Sequence, residues 1–345
     1  MDLFGDLPPP IVSSPKNNCP DDKAPDAKKF KVSVLYDLIG CVGERRGERE
    51  EMQDAHQILE NITSQFPDLS PQIPRVAYFG LFDGHAGFRA SQHAAENLHK
   101  NIIAKFPKGE ISNQDREIRR CIVDAFKQTD EEFLQKASAV KPVWKDGSTA
   151  VCILVVNDTL YVANLGDSKA LVATNDDKDT IVAKRLTKDH NPIQYEERQR
   201  IQKAGGVVRE GRVSGILEVS RSIGDGRFKH CGVTCIPDIV KHQLSEKDKF
   251  ILLACDGLFK AFTADTAVKR INEMLEDKDL PFPAHMKNED YVPLDDRAAQ
   301  HEAACNLLAA EAVRKFSADN VTVILIDIRL KNEEKDKDKD KYTIN

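Results

Sequence analysis

The sequence lacks the features of a membrane-bound or secreted chain. No apolar run approaches the roughly 18 residues that a bilayer-spanning helix requires, and the first residues include Asp2 and Asp6 but no basic segment of a secretory signal. A basic excess is also lacking, because 50 Lys and Arg stand against 56 Asp and Glu, for a formal net charge of −6. Nucleic acids and anionic membranes are bound by basic surfaces. Neither is therefore expected as a partner, whereas cations are compatible with this balance.

Cysteines arranged for zinc or for a disulfide framework are lacking as well. Most of the eight cysteines lie in apolar runs, as Cys152 does in VCILVV and Cys255 in FILLAC, where a thiol behaves as a small hydrophobic side chain. Cys231 and Cys235 have neither a second pair nor nearby histidines at the spacing of a zinc site. We therefore expect no disulfides and a reducing setting, in the cytoplasm and also the nucleus.

The composition divides the chain into three segments. Residues 1–30 are rich in Pro, Asp, Asn and Lys and poor in bulky apolar residues, which predicts disorder; whether their apolar start docks a partner is left open. Residues 31–329 show no linker-like break and are predicted to form one domain, with a Pro-rich surface loop at 279–294. Residues 330–345 alternate in charge and are predicted to be a disordered, solvated tail.

The apolar pattern predicts an α+β fold, a four-layer α-β-β-α sandwich of two antiparallel sheets flanked by helices. The segments RVAYFGLF, KFILLAC and VTVILIDI are apolar on both alternating faces, so their sheets must be covered on both sides. A tight turn at Asn157-Asp158 favours an antiparallel hairpin. A doubly wound parallel sheet is the weaker alternative, because this hairpin and the region 205–248 interrupt strand–helix alternation. The strand candidates are 33–39, 56–62, 75–82, 148–156, 159–164, 249–255 and 321–328, and the helix candidates are 87–105, 113–138, 193–204, 263–277 and 297–316.

Five aspartates lie at the ends of predicted strands. Asp83 and Asp256 directly follow strands, Asp167 follows one after a short turn, and Asp319 and Asp54 precede strands. In antiparallel sheets the end of one strand lies beside the start of the next, so these carboxylates can converge on one edge. Clustered carboxylates require a neutralising cation, and hard oxygen ligands select Mg²⁺, Mn²⁺ or Ca²⁺ over zinc. Each aspartate alone is better interpreted as an ordinary turn or cap residue; Asp83, Asp256 and Asp319 together favour a metal site.

Residues beside these aspartates carry complementary chemistry. Gly84 lets the backbone approach a ligand closely, and its carbonyl can serve a metal. His85 follows in the same turn and is a candidate general acid. Arg49, five residues before Asp54, is suited to a bidentate grip on a phosphate group.

Seven motifs carry a resemblance to a known family. The chain resembles the metal-dependent PPM, or type 2C, protein phosphatases, which hydrolyse phosphoserine and phosphothreonine in proteins, and the resemblance covers about residues 31–329. It implies the same four-layer sandwich and a chain acting as a monomer. The motifs, in family order, are REEMQDAH (49–56), FDGHAG (82–87), DGSTA (146–150), NLGDSKA (164–170), LEVSRSIGD (217–225), ACDGLF (254–259) and SADNVTV (317–323).

The resemblance implies a binuclear Mg²⁺ or Mn²⁺ centre. Asp83 is expected to bridge the two metals, with the Gly84 carbonyl, Asp256 and Asp319 as further direct ligands. Asp167 matches a residue that, with Asp256, holds a weak third metal.

The resemblance also implies the catalytic roles. Asp54 matches a residue that contacts metal-bound water, Arg49 the phosphate-binding arginine and His85 the general acid that protonates the leaving oxygen. The expected nucleophile is a hydroxide held between the two metals. The Gly- and Arg-rich stretch 205–240 matches a mobile flap that helps to select substrates.

Two positions depart from the family pattern. Gln53 stands where many relatives have Glu, and Lys260 stands where several relatives have a further Asp. Both changes weaken the attraction for cations, above all at the third site. Four other segments, MDLFGDLP, FPKG, KPVWKDGSTA and NPIQYEERQRIQKAGG, resemble one branch of the family, which implies integrin-linked kinase as a candidate partner.

Three other functions compete with this interpretation. A cysteine-dependent phosphatase requires Cys-x5-Arg, but the sixth residue after Cys231 is Pro237. A calcineurin-like metallophosphatase requires a Gly-Asn-His-Glu segment, and the sequence contains none. A catalytically inactive scaffold that binds kinases or phosphoproteins remains the alternative from another class, supported only by Gln53 and Lys260.

Overall fold

The computed structural model describes residues 34–109, 113–283, 286 and 293–331. All of these residues belong to one compact unit, residues 32–345. The disorder predicted for 1–30, nearly all of the predicted tail and most of the predicted loop 279–294 lie outside the described residues. Among the described helices, none is long and apolar enough to cross a membrane.

The described strands and helices largely match the apolar pattern. The strands are β1 (Tyr36–Arg45), β2 (Ala55–Leu59), β3 (Val76–Phe82), β4 (Gly84–His85), β5 (Gly147–Ser148), β6 (Ala150–Val156), β7 (Thr159–Leu165), β8 (Lys169–Asn175), β9 (Ile181–Arg185), β10 (Val208–Arg209), β11 (Arg212–Val213), β12 (Ile223–Gly224), β13 (Asp238–Gln243), β14 (Asp248–Ala254) and β15 (Val321–Leu330). The helices are α1 (Arg89–Lys105), α2 (Gln114–Ser138), α3 (Tyr195–Lys203), α4 (Gly226–Lys229), α5 (Asp256–Phe259), α6 (Ala264–Glu276) and α7 (Asp296–Arg314).

Two five-stranded sheets form the centre of the fold. One has the strand order β1-β15-β14-β8-β9 and the other β13-β7-β6-β3-β2, and every neighbouring pair in both is antiparallel. The turn at Asn157 adopts a left-handed conformation (φ 57°) and joins β6 to β7 as predicted. Asn accepts this conformation more readily than most residues. The sequence pattern does not predict β8, β9 and β13 of these two sheets, nor the short strands β4, β10, β11 and β12 or the short helices α4 and α5.

Three apolar layers confirm the predicted four-layer sandwich. Along β3, Phe79 and Leu81 point into a core shared by the two sheets, whereas Tyr78 and Phe82 point into a second core with α1 and α2. A third core lies between the other sheet and helices α6 and α7. The period-2 alternation of side chains in a strand therefore serves two cores at once, which is why β3 is apolar throughout.

One end of the sandwich collects the strand-end aspartates. The last residue of β3 pairs with the first residue of β2, so that Asp83 and Asp54 lie side by side. In the other sheet, β14 ends beside the start of β15, which brings Asp256 and Asp319 to the same end. Packing of the two sheets against each other then brings Asp54 and Thr322, which are 268 positions apart, into hydrogen-bond contact.

The segment from α3 to α4 forms a small cover with its own apolar core. Ile201, Val213, Leu217, Phe228 and Val233 are among the buried residues of this cluster. The short hairpin of β10 and β11 belongs to it. The cover includes most of the stretch 205–240 that the sequence predicts to be a flap, and its residues 216–219 line the cleft with Asp83, Asp256 and Asp319.

Candidate active site

A cleft of about 450 Å³ opens where the strand-end aspartates meet. Seven of the eight residues singled out in the sequence line it, namely Arg49, Asp83, Gly84, His85, Asp167, Asp256 and Asp319. The eighth, Asp54, is buried with 8% exposure and lies behind Asp83. Ile216, Leu217, Glu218 and Val219 of the cover close one side.

Asp54 and Asp83 form a pair of carboxyl groups that are costly to ionise. Burial raises the pKa of Asp83 well above its usual range, and the neighbouring charges of Asp54 and Asp256 raise it further. Burial raises the pKa of Asp54 to about 6, although hydrogen bonding from Thr322 opposes this shift. The Thr322 hydroxyl donates to Oδ2 of Asp54 at 2.7 Å. The other oxygen, Oδ1, is buried without a hydrogen-bond partner, and such an atom calls for a cation or a water donor.

Asp319 is held by two basic side chains. Arg49 binds it in a bidentate manner, with Nε 2.9 Å from Oδ1 and Nη2 2.9 Å from Oδ2. The Lys260 ammonium contacts Oδ2 of Asp319 at 2.5 Å and Oδ2 of Asp256 at 2.8 Å. Burial alone would raise the pKa of Asp319, but Lys260 and Arg49 reverse this effect and lower it. Asp256 and Asp319 are therefore joined through one lysine.

Gly84 occupies a place that no other residue type fits. Its backbone pairs with Ser148, and a Cβ at this position would collide with the carbonyl oxygen of Gln53 and with the Ser91 hydroxyl. The Asp83 carbonyl accepts a hydrogen bond from the Thr149 amide at 2.9 Å. The Asp-Gly turn is therefore fixed by backbone contacts on both sides, as a ligand-binding turn requires.

His85 is hydrogen-bonded to an aspartate that sequence reasoning missed. Its Nε2 lies 2.6 Å from Oδ2 of Asp225, which is buried and adopts a left-handed conformation (φ 52°). Burial lowers the pKa of His85, but the Asp225 carboxylate outweighs burial and raises it. Asp225 is the last residue of LEVSRSIGD, so its motif was recognised although its role was not.

Asp167 lines the same cleft as Asp83. Burial raises the pKa of Asp167 to about 6, the Asp256 carboxylate raises it further, and Lys169 opposes the shift. Lys169 donates to the Asp167 carbonyl at 3.2 Å and to Asp189 at 2.8 Å. The turn that carries Asp167 is thus fixed beside the cleft that this residue lines.

Asn320 is a second residue that sequence reasoning missed. Its Oδ1 accepts from the Gln53 amide at 2.8 Å, and its Nδ2 donates to the carbonyls of Arg46 at 2.8 Å and Glu51 at 3.1 Å. This side chain ties the Arg49 loop to the start of β15. The signal was its place inside SADNVTV, directly after Asp319.

The donor set fits a hard divalent cation. The cleft offers carboxylate and backbone oxygens, the ligands of Mg²⁺ and Mn²⁺, together with the unpartnered Oδ1 of Asp54. Within the described residues, no three His, Cys, Asp or Glu side chains converge as a metal cage, and Asp256 and Asp319 contact Lys260 instead. The chemistry of the donor atoms nevertheless fits such a cation.

Comparison with known proteins agrees with the fold and the motifs. The sequence model described as "Protein phosphatase 2C" matches residues 40–321. The integrin-linked kinase-associated serine/threonine phosphatase 2C of Bos taurus is 56% identical over 299 residues, covering 86% of this chain and 79% of the relative. The Homo sapiens protein of that name is 56% identical over 297 residues, covering 86% and 74%. A probable protein phosphatase 2C 67 of Oryza sativa is 38% identical, covering 71% and 68%.

Solved structures share the fold at low sequence identity. A serine-threonine phosphatase 2C from Toxoplasma gondii superposes with a TM-score of 0.68 at 19% identity, covering 87% of this chain and 97% of that one. A sex-determining protein of C. elegans gives 0.67 at 23% identity, covering 86% and 65%. The family resemblance carried by the seven motifs is thus confirmed, and the chain belongs to the protein phosphatase 2C family of serine/threonine phosphatases.

Proposed function

We propose that this chain hydrolyses phosphoserine and phosphothreonine esters of proteins with Mg²⁺ or Mn²⁺ held by Asp83, the Gly84 carbonyl, Asp256 and Asp319. The observation that carries the proposal is the convergence of these oxygen ligands with Arg49 and His85 in one cleft. The raised pKa of Asp83, caused by burial among other carboxyl groups, supports it, because a bound cation would offset that cost. Asp167 with Asp256 is the place for a weaker third cation.

Bound there, divalent cations would supply a hydroxide near neutral pH and offset charge on the phosphoryl oxygens. Arg49 would grip the phosphate: its side chain is 59% exposed and reaches into the cleft, and a guanidinium matches the paired oxygens of a phosphate. Asp54, which is buried beside the cleft, would accept a hydrogen bond from a water molecule through its unpartnered Oδ1.

His85 would give a proton to the departing serine or threonine oxygen. General acid catalysis of this kind is worth typically ~10²–10⁴-fold. Asp225 supports this role, since it fixes the imidazole through Nε2 at 2.6 Å and leaves the other ring nitrogen for the substrate. The hydrogen bond made by one ring nitrogen of a histidine sets whether the other nitrogen carries a proton.

Phosphoproteins are the proposed substrates, and the names of the mammalian relatives lead us to propose integrin-linked kinase as a partner. We also propose a monomer in the cytoplasm and nucleus. Purified kinase that fails to co-elute with the full chain in size-exclusion chromatography would contradict the partner proposal alone.

The decisive test of the function is EDTA-sensitive phosphate release. The full chain should release phosphate from phosphothreonine peptides in Mn²⁺, and Asp83→Asn should lose at least about 10²-fold in kcat, because its oxygens serve the charge-stabilising centre. Asp189→Asn is a matched control, since Asp189 pairs with Lys169 beside the cleft but does not line it. Absence of EDTA-sensitive release from every peptide would instead support the inactive scaffold.

A further inference from the structure

Lys260 bridges the two carboxylates that the proposed function assigns to cations. It caps the C-terminus of α5, which Asp256 begins, and the four-residue spacing places the two side chains on one helix face. Its Nζ lies 2.8 Å from Oδ2 of Asp256 and 2.5 Å from Oδ2 of Asp319. A single ammonium group thus contacts one oxygen of each residue.

The carboxylate of Asp319 has no oxygen left without a donor. Its Oδ1 accepts from Arg49 Nε at 2.9 Å and from the Asn320 amide at 2.9 Å. Its Oδ2 accepts from Arg49 Nη2 at 2.9 Å and from Lys260. A cation that uses Asp319 must therefore displace at least one of these donors.

Lys260 is the donor that meets a cation at both carboxylates. It is the one among them that also contacts Asp256, so a cation shared by Asp256 and Asp319 competes with it at both residues. Its side chain is 46% exposed, and a four-carbon stem lets the ammonium swing into water. Arg49 and the Asn320 backbone amide contact Asp319 alone.

We propose that Lys260 acts as an intramolecular competitor of divalent cations at Asp256 and Asp319, so that metal binding requires its ammonium group to be displaced. The inference rests on the proposed function and adds a regulatory consequence to it. The chain carries its own neutralising charge for these carboxylates, and its affinity for Mg²⁺ or Mn²⁺ is set lower than the carboxylates alone would give. Activity should then follow the free cation concentration over a higher range.

The size of the effect follows from screening. The attraction between the ammonium and each carboxylate is weakened by water, and the exposure of Lys260 keeps its contribution modest. We expect Lys260→Met to bind Mn²⁺ about 10-fold more tightly, which corresponds to about 1.4 kcal/mol. Lys260→Gln, a polar neutral variant, should behave in the same way, and Lys260→Arg should keep the weaker affinity.

The experiment is isothermal titration of Mn²⁺ into the full chain and its variants at constant ionic strength. Lys247→Met is the matched control, because Lys247 forms a surface pair with Asp177 at the same 2.8 Å distance away from the cleft. Its Kd for Mn²⁺ should equal that of the unmodified chain. A thermal melt supplies the second measurement. In EDTA the Lys260→Met protein should melt below the unmodified chain, and the rise in Tm on adding Mn²⁺ should be larger.

The outcomes separate the two proposals. Equal Mn²⁺ affinity of the unmodified chain, Lys260→Met and Lys260→Gln would overturn the competition while leaving the phosphatase proposal intact. If Lys247→Met also bound Mn²⁺ more tightly, the effect would come from net charge alone, and this result would also overturn the competition. If no variant binds Mn²⁺, the metal centre itself is wrong and the inference falls with it.

Discussion

Asp225→Asn tests the proton donor of the proposed mechanism without touching a metal ligand. Asn keeps the shape of Asp and tolerates the left-handed conformation at this position (φ 52°), so the cover should fold. What is lost is a carboxylate 2.6 Å from Nε2 of His85. Since that carboxylate raises the pKa of His85, its removal lowers the pKa, and the protonated acid is lost at a lower pH.

The magnitude follows from the chemistry of the leaving group. Each unit by which the pKa falls lowers the protonated fraction by about tenfold above the pKa, within the ~10²–10⁴-fold that a general acid contributes. We expect kcat/KM for a phosphoserine peptide at pH 8 to fall by about 10- to 100-fold. The alkaline limb of the pH profile should move to lower pH. Hydrolysis of p-nitrophenyl phosphate, whose leaving group needs no proton, should change by less than about threefold.

A double-mutant cycle with His85→Gln provides the refutation. If Asp225 acts through His85, adding Asp225→Asn to His85→Gln should cause no further loss on the phosphoserine peptide, since coupled residues are not additive. Losses that multiply, or equal losses on the peptide and on p-nitrophenyl phosphate, would show that Asp225 supports the fold of the cover and not the acid.

Two further predictions concern stability. Burial raises the pKa of Asp167 from 3.8 to about 6, so the folded protein binds the proton more tightly than the unfolded chain, and stability falls as pH rises from about 4 to about 6. In EDTA at pH 7.5, Asp167→Asn should therefore raise Tm by about 2–4 °C, and at pH 4 it should not; an unchanged Tm at both pH values would contradict the burial cost. The pKa of Glu197 shifts in the opposite direction. Burial alone would raise this pKa, but hydrogen bonds from Arg221, Arg200 and Ser220 outweigh burial and lower it. The contribution of the Glu197 carboxylate to stability is present above about pH 4.5 and is lost as pH falls further. Glu197→Gln should therefore lower the free energy of unfolding in urea by about 2–4 kcal/mol at pH 7, and by less at pH 3.5. If Glu197→Gln lowered the free energy of unfolding equally at both pH values, the loss would come from packing and not from the charge.

The fold was predictable where apolar residues occupy both faces of a strand. RVAYFGLF, KFILLAC and VTVILIDI can be buried on two sides only in a layered structure, and the confirmed sandwich places them at the centre of the two sheets. Strand β13 escaped prediction because it is an edge strand with mostly exposed residues, and β9, at the edge of the other sheet, is only partly buried. Strand β8 has only Ala-Leu-Val-Ala as its apolar run, which is compatible with a helix as well as a strand.

The sequence predicted which residues meet in the candidate site better than it predicted the contacts between them. Strand-end aspartates converge because antiparallel pairing leaves little freedom, so Asp83, Asp256 and Asp319 could be grouped from the sequence. In the sequence, Lys260 stands out only as a basic residue where several relatives have Asp. Its bridge to Asp319 depends on how α5 meets the start of β15, 59 positions away, and on side-chain rotamers. The contact between Asp225 and His85 depends on the path of the irregular cover, and no periodic sequence pattern predicts that path.

Strand β15 lies between β1 and β14, so the last of the described strands is inserted between the first described strand and β14. Through Asn320 it also anchors the loop that carries Arg49. A chain that lacked residues 320–330 would leave β1 without its partner strand and the Arg49 loop without its anchor. Two elements near the beginning of the domain therefore depend on the last strand described for it.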